Sequence, residues 1–259
     1  MTRNLRIVLV GLYSLAALSL CAIPALAQSQ EIKPKPPMYS YVANWQVARA
    51  NWADVDKMAA PVSAVLQKAM DDGTLVAYGD DTTLVHTVDG ATNDTWWSSM
   101  SMAGIVKVLE QARAATDPHS NALNTAKHWD HLWVSRYYNW KPGAKKGAYT
   151  YASDYKLKEA ASNDDLDNLC QRLIVPMLEK LLADGHLVEY EIDTLAVHTE
   201  APGEFSIVMI ATSPEDLDVV RGAILASGKD HPLAIQAFGS ATDSSGHRDQ
   251  LARTNATFK

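Results

Sequence analysis

Two histidines stand at matching places in a repeated phrase. Asp72 to Thr87 reads DGTLVAYGDDTTLVHT, and Asp184 to Thr199 reads DGHLVEYEIDTLAVHT. Each copy holds a tyrosine and, eight residues on, a histidine: Tyr78 with His86, and Tyr190 with His198. If each phrase is one continuous strand, residues of equal parity share a face. Tyrosine and histidine would then line one pocket, the phenol donating a hydrogen bond and the imidazole acting as base or ligand. Gly79 in the first copy could mark a bulge that resets this register. The preferred reading is plainer: a His-Thr pair repeated at a strand end serves the fold by satisfying loop backbone groups.

A second pair of candidates is the dipeptide Asn-Trp, at Asn44-Trp45 and Asn139-Trp140. Alternation puts the two members on opposite faces of a strand. A buried asparagine needs partners for its amide, and without them it is costly. Asn44, Asn139 and Trp96 (or its neighbour Trp97) therefore join the candidate cavity-lining set. The run HWDH, His128 to His131, has a partial zinc spacing, with His119 nearby. A zinc site needs three or four ligands in fixed geometry, so these histidines are read as solvated linker residues and no metal is expected. Phosphate-loop, dinucleotide-binding and paired-cysteine motifs are absent from the sequence.

Composition bounds the setting. The first 27 residues have a basic start (Arg3, Arg6), an apolar run from Ile7 to Ile23, and a small-x-small triplet, Ala25-Leu26-Ala27. This is the form of a cleaved secretory signal, preferred here over an uncleaved anchor or a lipid on Cys21. Without it the chain carries 21 basic and 30 acidic residues. That balance argues against nucleic acid as a partner, because binding phosphate needs clustered lysine and arginine. No second segment is long enough to anchor the mature chain in a bilayer by a helix. Cys170 is then the remaining cysteine, and it shares a helical stripe with Leu166, Leu173 and Met177. It is expected to be a buried small hydrophobe.

The elements that must position these residues also repeat. At a fixed offset, 12 of the 22 positions from Leu66 and from Leu178 are identical. Upstream of each phrase, Val62, Val65, Leu66, Ala69, Met70 and Ile174, Met177, Leu178, Leu181, Leu182 follow the spacing of one buried helical face. Gly73 and Gly185 are expected to stop these helices. Aromatic strands precede them, Tyr39–Val47 and Leu132–Trp140, and strands TWWSSMSM and FSIVMIAT follow, each leading into a second helix. The predicted division is signal 1–27, proline-rich leader 28–38, first unit 39–115, linker 116–130, second unit 131–238 with an insertion near 141–163, and a polar tail 239–259. LAIQAF in the second unit is expected to be its last strand; the first unit has no clear last strand.

The order strand, helix, strand, strand, helix, strand is that of a ferredoxin-like unit. The expected fold is α+β, two tandem ferredoxin-like units pairing sheet to sheet. In this it resembles the dimeric α/β-barrel superfamily, through element order and duplication over most of residues 39–238. That resemblance implies cofactor-independent monooxygenases, haem-binding enzymes, small isomerases or proteins without an assigned activity. Some haem-degrading members surround their substrate with an Asn, a Trp and a His. Asn44 and Trp96 or Trp97 match part of that set, but the second helix, AGIVKVLEQARAA, has no histidine. The expectation is an exported protein that binds a small apolar or aromatic molecule between sheet and helices, or is structural, with no cofactor. A monooxygenase, cofactor-independent or haem-dependent, is the alternative.

Overall fold

The computed structural model describes residues 32–117, 119–199 and 202–259. The expected signal, 1–27, lies outside these. In chain order the elements are β1 (Met38–Gln46), α1 (Val55–Asp71), β2 (Ala77–Thr83), β3 (Asn93–Ser99), α2 (Met102–Ala115), α3 (Asn121–Thr125), β4 (Lys127–Trp140) and β5 (Gly143–Leu157). They continue with α4 (Asn163–Leu169), a π turn Cys170–Ile174, α5 (Val175–Asp184), β6 (Leu187–Leu195), β7 (Glu204–Ala211), α6 (Pro214–Asp230), α7 (Pro232–Ala241) and β8 (Thr242–Phe258).

The eight strands close into one barrel in the order β1-β3-β2-β8-β5-β7-β6-β4. Each paired edge is antiparallel. The helices pack on the outside. Leu66, Ala69 and Met70 of α1 meet Ile105 and Val108 of α2 over Tyr41 and Trp97 of the sheet. On the other half, Leu173, Leu178 and Leu182 pack on Tyr190, Phe205 and Ile207, and Cys170 lies fully buried among them. Burial pushes its thiol up to about 12, which fits an inert core residue.

Helix ends follow from local chemistry. Gly185 caps α5 at φ +93°, a left-handed conformation that costs glycine little. Ser162 and Asp165 form a reciprocal capping box at the start of α4. Pro176 sits in the first turn of α5, directly after the π turn, where its missing N–H removes one helical bond.

Several sequence expectations are corrected. Residues 141–163, expected as an insertion, contain the 15-residue strand β5. The expected linker contains α3 and the first residues of β4. LAIQAF is helical, inside α7, because a short apolar run carries no periodicity that separates helix from strand. The expected polar tail is β8, 17 residues long, paired to both β2 and β5.

Candidate functional site

Between the outer face of the sheet and helices α1 and α2 lies a cavity of about 400 Å³. Trp45, Trp97, Met58, Val62 and Leu109 give it apolar walls, and Tyr41, Arg113, His128 and Asp130 give it a polar end. Strand alternation delivers these groups. On β4, His128 and Asp130 point outward while His131 points into the barrel. On β1, Tyr41 and Trp45 point outward while Asn44 points in. The β1–β4 register sets Trp45 beside His128 and Ala43 beside Asp130.

The His128 Nδ1 atom lies 2.9 Å from the Asn44 carbonyl oxygen. A carbonyl only accepts, so Nδ1 carries a proton. Its Nε2 is 2.9 Å from Asp130 Oδ1. A carboxylate at that position favours a second proton there. Burial opposes the charge, but the Asp130 carboxylate and the Asn44 carbonyl outweigh it and hold the imidazole above its usual range. Burial alone would raise Asp130; His128 and Tyr41 reverse that and hold its carboxyl low. Tyr41 is pushed far up, first by burial and then by its hydrogen bond to Asp130, so its phenol remains a donor. The polar end therefore combines an imidazole whose charged form is favoured, a guanidinium, and a carboxylate that orients the imidazole. It suits an oxygen atom that carries, or develops, negative charge.

The residues singled out in the sequence scatter over several places. Asn44 and Trp96 line the barrel interior, and the Asn44 amide nitrogen is 3.3 Å from His131 Nδ1. β2 ends at Thr83 and β6 at Leu195, so His86 and His198 lie beyond the strands and the parity argument does not reach them. Both are exposed: His86 beside Trp52, ring centroids 5.1 Å apart, and His198 in a surface pocket with Arg136 and Glu204. The tyrosines face the helices. Tyr78 donates to Gln67 Oε1 at 2.7 Å, and Tyr190 to Glu179 Oε1 at 2.6 Å. Asn139 donates to the same Glu179 carboxylate, so it too lies on the outer face. His128 and Asp130, assigned to a linker from sequence, are the pair that a cavity brings together. The signal available was the alternation of KHWDHLW, which extends β4 toward its N-terminus.

No protein-family model and no curated protein sequence matches the chain. Solved structures do match. The "putative monooxygenase" of Fusobacterium nucleatum subsp. nucleatum ATCC 25586 superimposes with a TM-score of 0.59 at 9% identity, over 87% of this chain and 95% of that one. The "putative monooxygenase" of Lactobacillus acidophilus NCFM gives 0.57 at 8% identity, over 86% and 97%. The fold is that of the dimeric α/β barrels. At such identity the likeness to these α/β barrels covers architecture, and no residue role passes with it.

Proposed function

We propose that this protein binds a small, largely aromatic molecule with an oxygen substituent, held between the sheet and helices α1 and α2. The observation that carries the reading is the His128–Asp130 pair set into the wall of a cavity otherwise lined by Trp45, Trp97 and aliphatic side chains. Binding pockets combine apolar walls with a few placed polar groups in this way. Titration of tryptophan fluorescence with hydroxylated aromatics such as 1-naphthol tests it. Saturable quenching that weakens at least tenfold in His128→Ala is expected; a flat response across such a panel rejects the reading.

A cofactor-independent monooxygenase is the second reading, favoured by the same pair. In this reading a quinol hydroxyl would release its proton to solvent, His128 with Arg113 would stabilise the resulting oxyanion, and dioxygen would be the oxidant that takes its electrons. Oxygen uptake with quinols, compared between wild type and His128→Ala, decides it; equal rates would remove the pair from any chemistry. Haem fits these residues poorly. Both ring nitrogens of His128, on the outer face, are engaged, and His131, which faces into the barrel, stands among carboxylates that would repel propionates. No Soret band is expected on haem titration.

Two further features belong to the same reading. The ring falls into the runs β4-β1-β3-β2 and β8-β5-β7-β6, each with the chain order of a ferredoxin-like unit. This supports a fused pair of such units with boundaries near 38–140 and 143–258. The protein is exported and cut after Ala27, which the mass of the mature chain would test. Among the described residues, no helix is long and apolar enough to cross a membrane.

A further inference from the structure

The barrel interior is a second cavity, of about 440 Å³, separated from the first by the sheet. One end is plugged by Ala77, Val188, Ile210 and Phe258, packed against Trp96 and Trp140. The other reaches solvent where Val85 and Thr87 are exposed. Its lining is unusual for a protein interior. Strand β6 turns Glu189, Glu191 and Asp193 inward, and Asp81 of β2 and Asp94 of β3 face the same space. All five are buried, Glu189 to 2% exposure, and none of them makes an ion pair among the described residues.

Neutral donors satisfy only part of this set. Ser40 Oγ donates to Glu191 at 2.9 Å and Gln250 Nε2 to Asp94 at 3.1 Å. Both oxygens of Glu189, and one each of Asp81 and Asp193, have no hydrogen-bond partner among the described residues. Thr83 Oγ1, a hydroxyl outside the acidic set, is likewise buried on this cavity without one. Unpaired buried acids are costly, and two basic side chains border them. Arg248 stands at the rim, donating to the Ser245 and His247 carbonyls, and His131 faces inward.

We propose that this interior binds a linear di- or polyamine. Three observations select that chemistry. Alternate residues of a strand recur about 6.6 Å apart, so Glu189, Glu191 and Asp193 make a row of acceptors rather than one point. Accordingly, no group of three such side chains among the described residues converges well enough to hold a metal ion. Trp96, Trp129 and Trp133 line the same cavity, and indole faces attract alkylammonium groups. A chain of ammonium groups joined by short methylene links would match a charged row flanked by aromatic rings.

Isothermal titration of the mature protein with spermidine tests this, with butylamine and magnesium chloride as comparisons. One-to-one binding is expected, at least tenfold tighter than either comparison, and weakened tenfold or more in the isosteric double variant Glu189→Gln, Asp193→Asn. Ala152→Leu, which narrows the interior without altering charge, should weaken it likewise and decides the matter if the double variant does not fold. No saturable heat with spermidine, equal binding of butylamine or magnesium, or unchanged affinity in the variants would overturn the proposal. Quenching by 1-naphthol should persist in these variants, since that pocket lies across the sheet.

Discussion

The His128 imidazole lies on the Trp45 indole, ring centroids 3.8 Å apart and planes 17° from parallel. A charged imidazole over an indole gains from the ring quadrupole, and Asp130 stands at its far nitrogen. Because His128 titrates above its ordinary value in the folded state, its stabilising effect is whole below about 6.5 and is lost as pH rises through the folded value. Asp130 is held low, so its contribution is present above about 3.9 and lost as pH falls further. The difference in urea midpoint between wild type and His128→Gln should be larger at pH 5.5 than at pH 8.5. An equal difference at both would mean that folding does not shift the titration of the imidazole.

The barrel interior predicts the opposite of common acid behaviour. Burial raises Asp81 to about 6, and it pushes Asp94, Glu189 and Asp193 well above the usual carboxylate range. Acids raised by folding favour the folded state below their unfolded values and withdraw that support as pH rises through the folded ones. Without a bound cation, the melting temperature should fall from pH 5 to pH 8. Glu189→Gln should raise it at pH 8 by about 2–4 °C for each kcal/mol regained. A lower melting temperature in that variant would show that Glu189 is paired.

The contacts Tyr78–Gln67 and Tyr190–Glu179 recur at the same spacing as the sequence repeat. Their worth should differ. Tyr190 is buried and its acceptor is a carboxylate, so Tyr190→Phe should cost about 1.5–3 kcal/mol. Tyr78 donates to a neutral amide at an exposed position, and Tyr78→Phe should cost about 0.5–1 kcal/mol. Urea unfolding of the two variants measures both.

Removing residues 242–259 should abolish cooperative unfolding, because β2 and β5 would each lose one of two partners and expose an edge. A dispensable tail would leave the transition unchanged. Thermal melts followed by circular dichroism distinguish the two.

The first half of the fold was legible because its buried faces are apolar. The stripe of Leu66, Ala69 and Met70 marks α1 at helical spacing, and the aromatic run through Tyr41 and Trp45 marks β1. Strand β8 was not legible because its inward face is only partly apolar, with Gln250 and Thr254 alternating with the small Ala252 and Ala256. Gln250 and Thr254 stand where a sandwich strand would place valine, so period two exists without the hydrophobicity that usually reveals it. The polar interior hid Glu189, Glu191 and Asp193 in the same way: their alternation along β6 carries the period of a strand without its hydrophobicity, and the tyrosine and histidine of the repeat are more conspicuous. His128 and Asp130 fall within the expected linker, and a strand reaching back to Lys127 makes that stretch a cavity wall.

The place of β8 in the ring also sets an order of events. The strand that joins β2 to β5 is made after every other strand of the barrel. A sheet without it would have two open edges, at β2 and β5, and a row of carboxylates open to water. The strand that closes the ring is thus also the one that shuts the acids away from solvent.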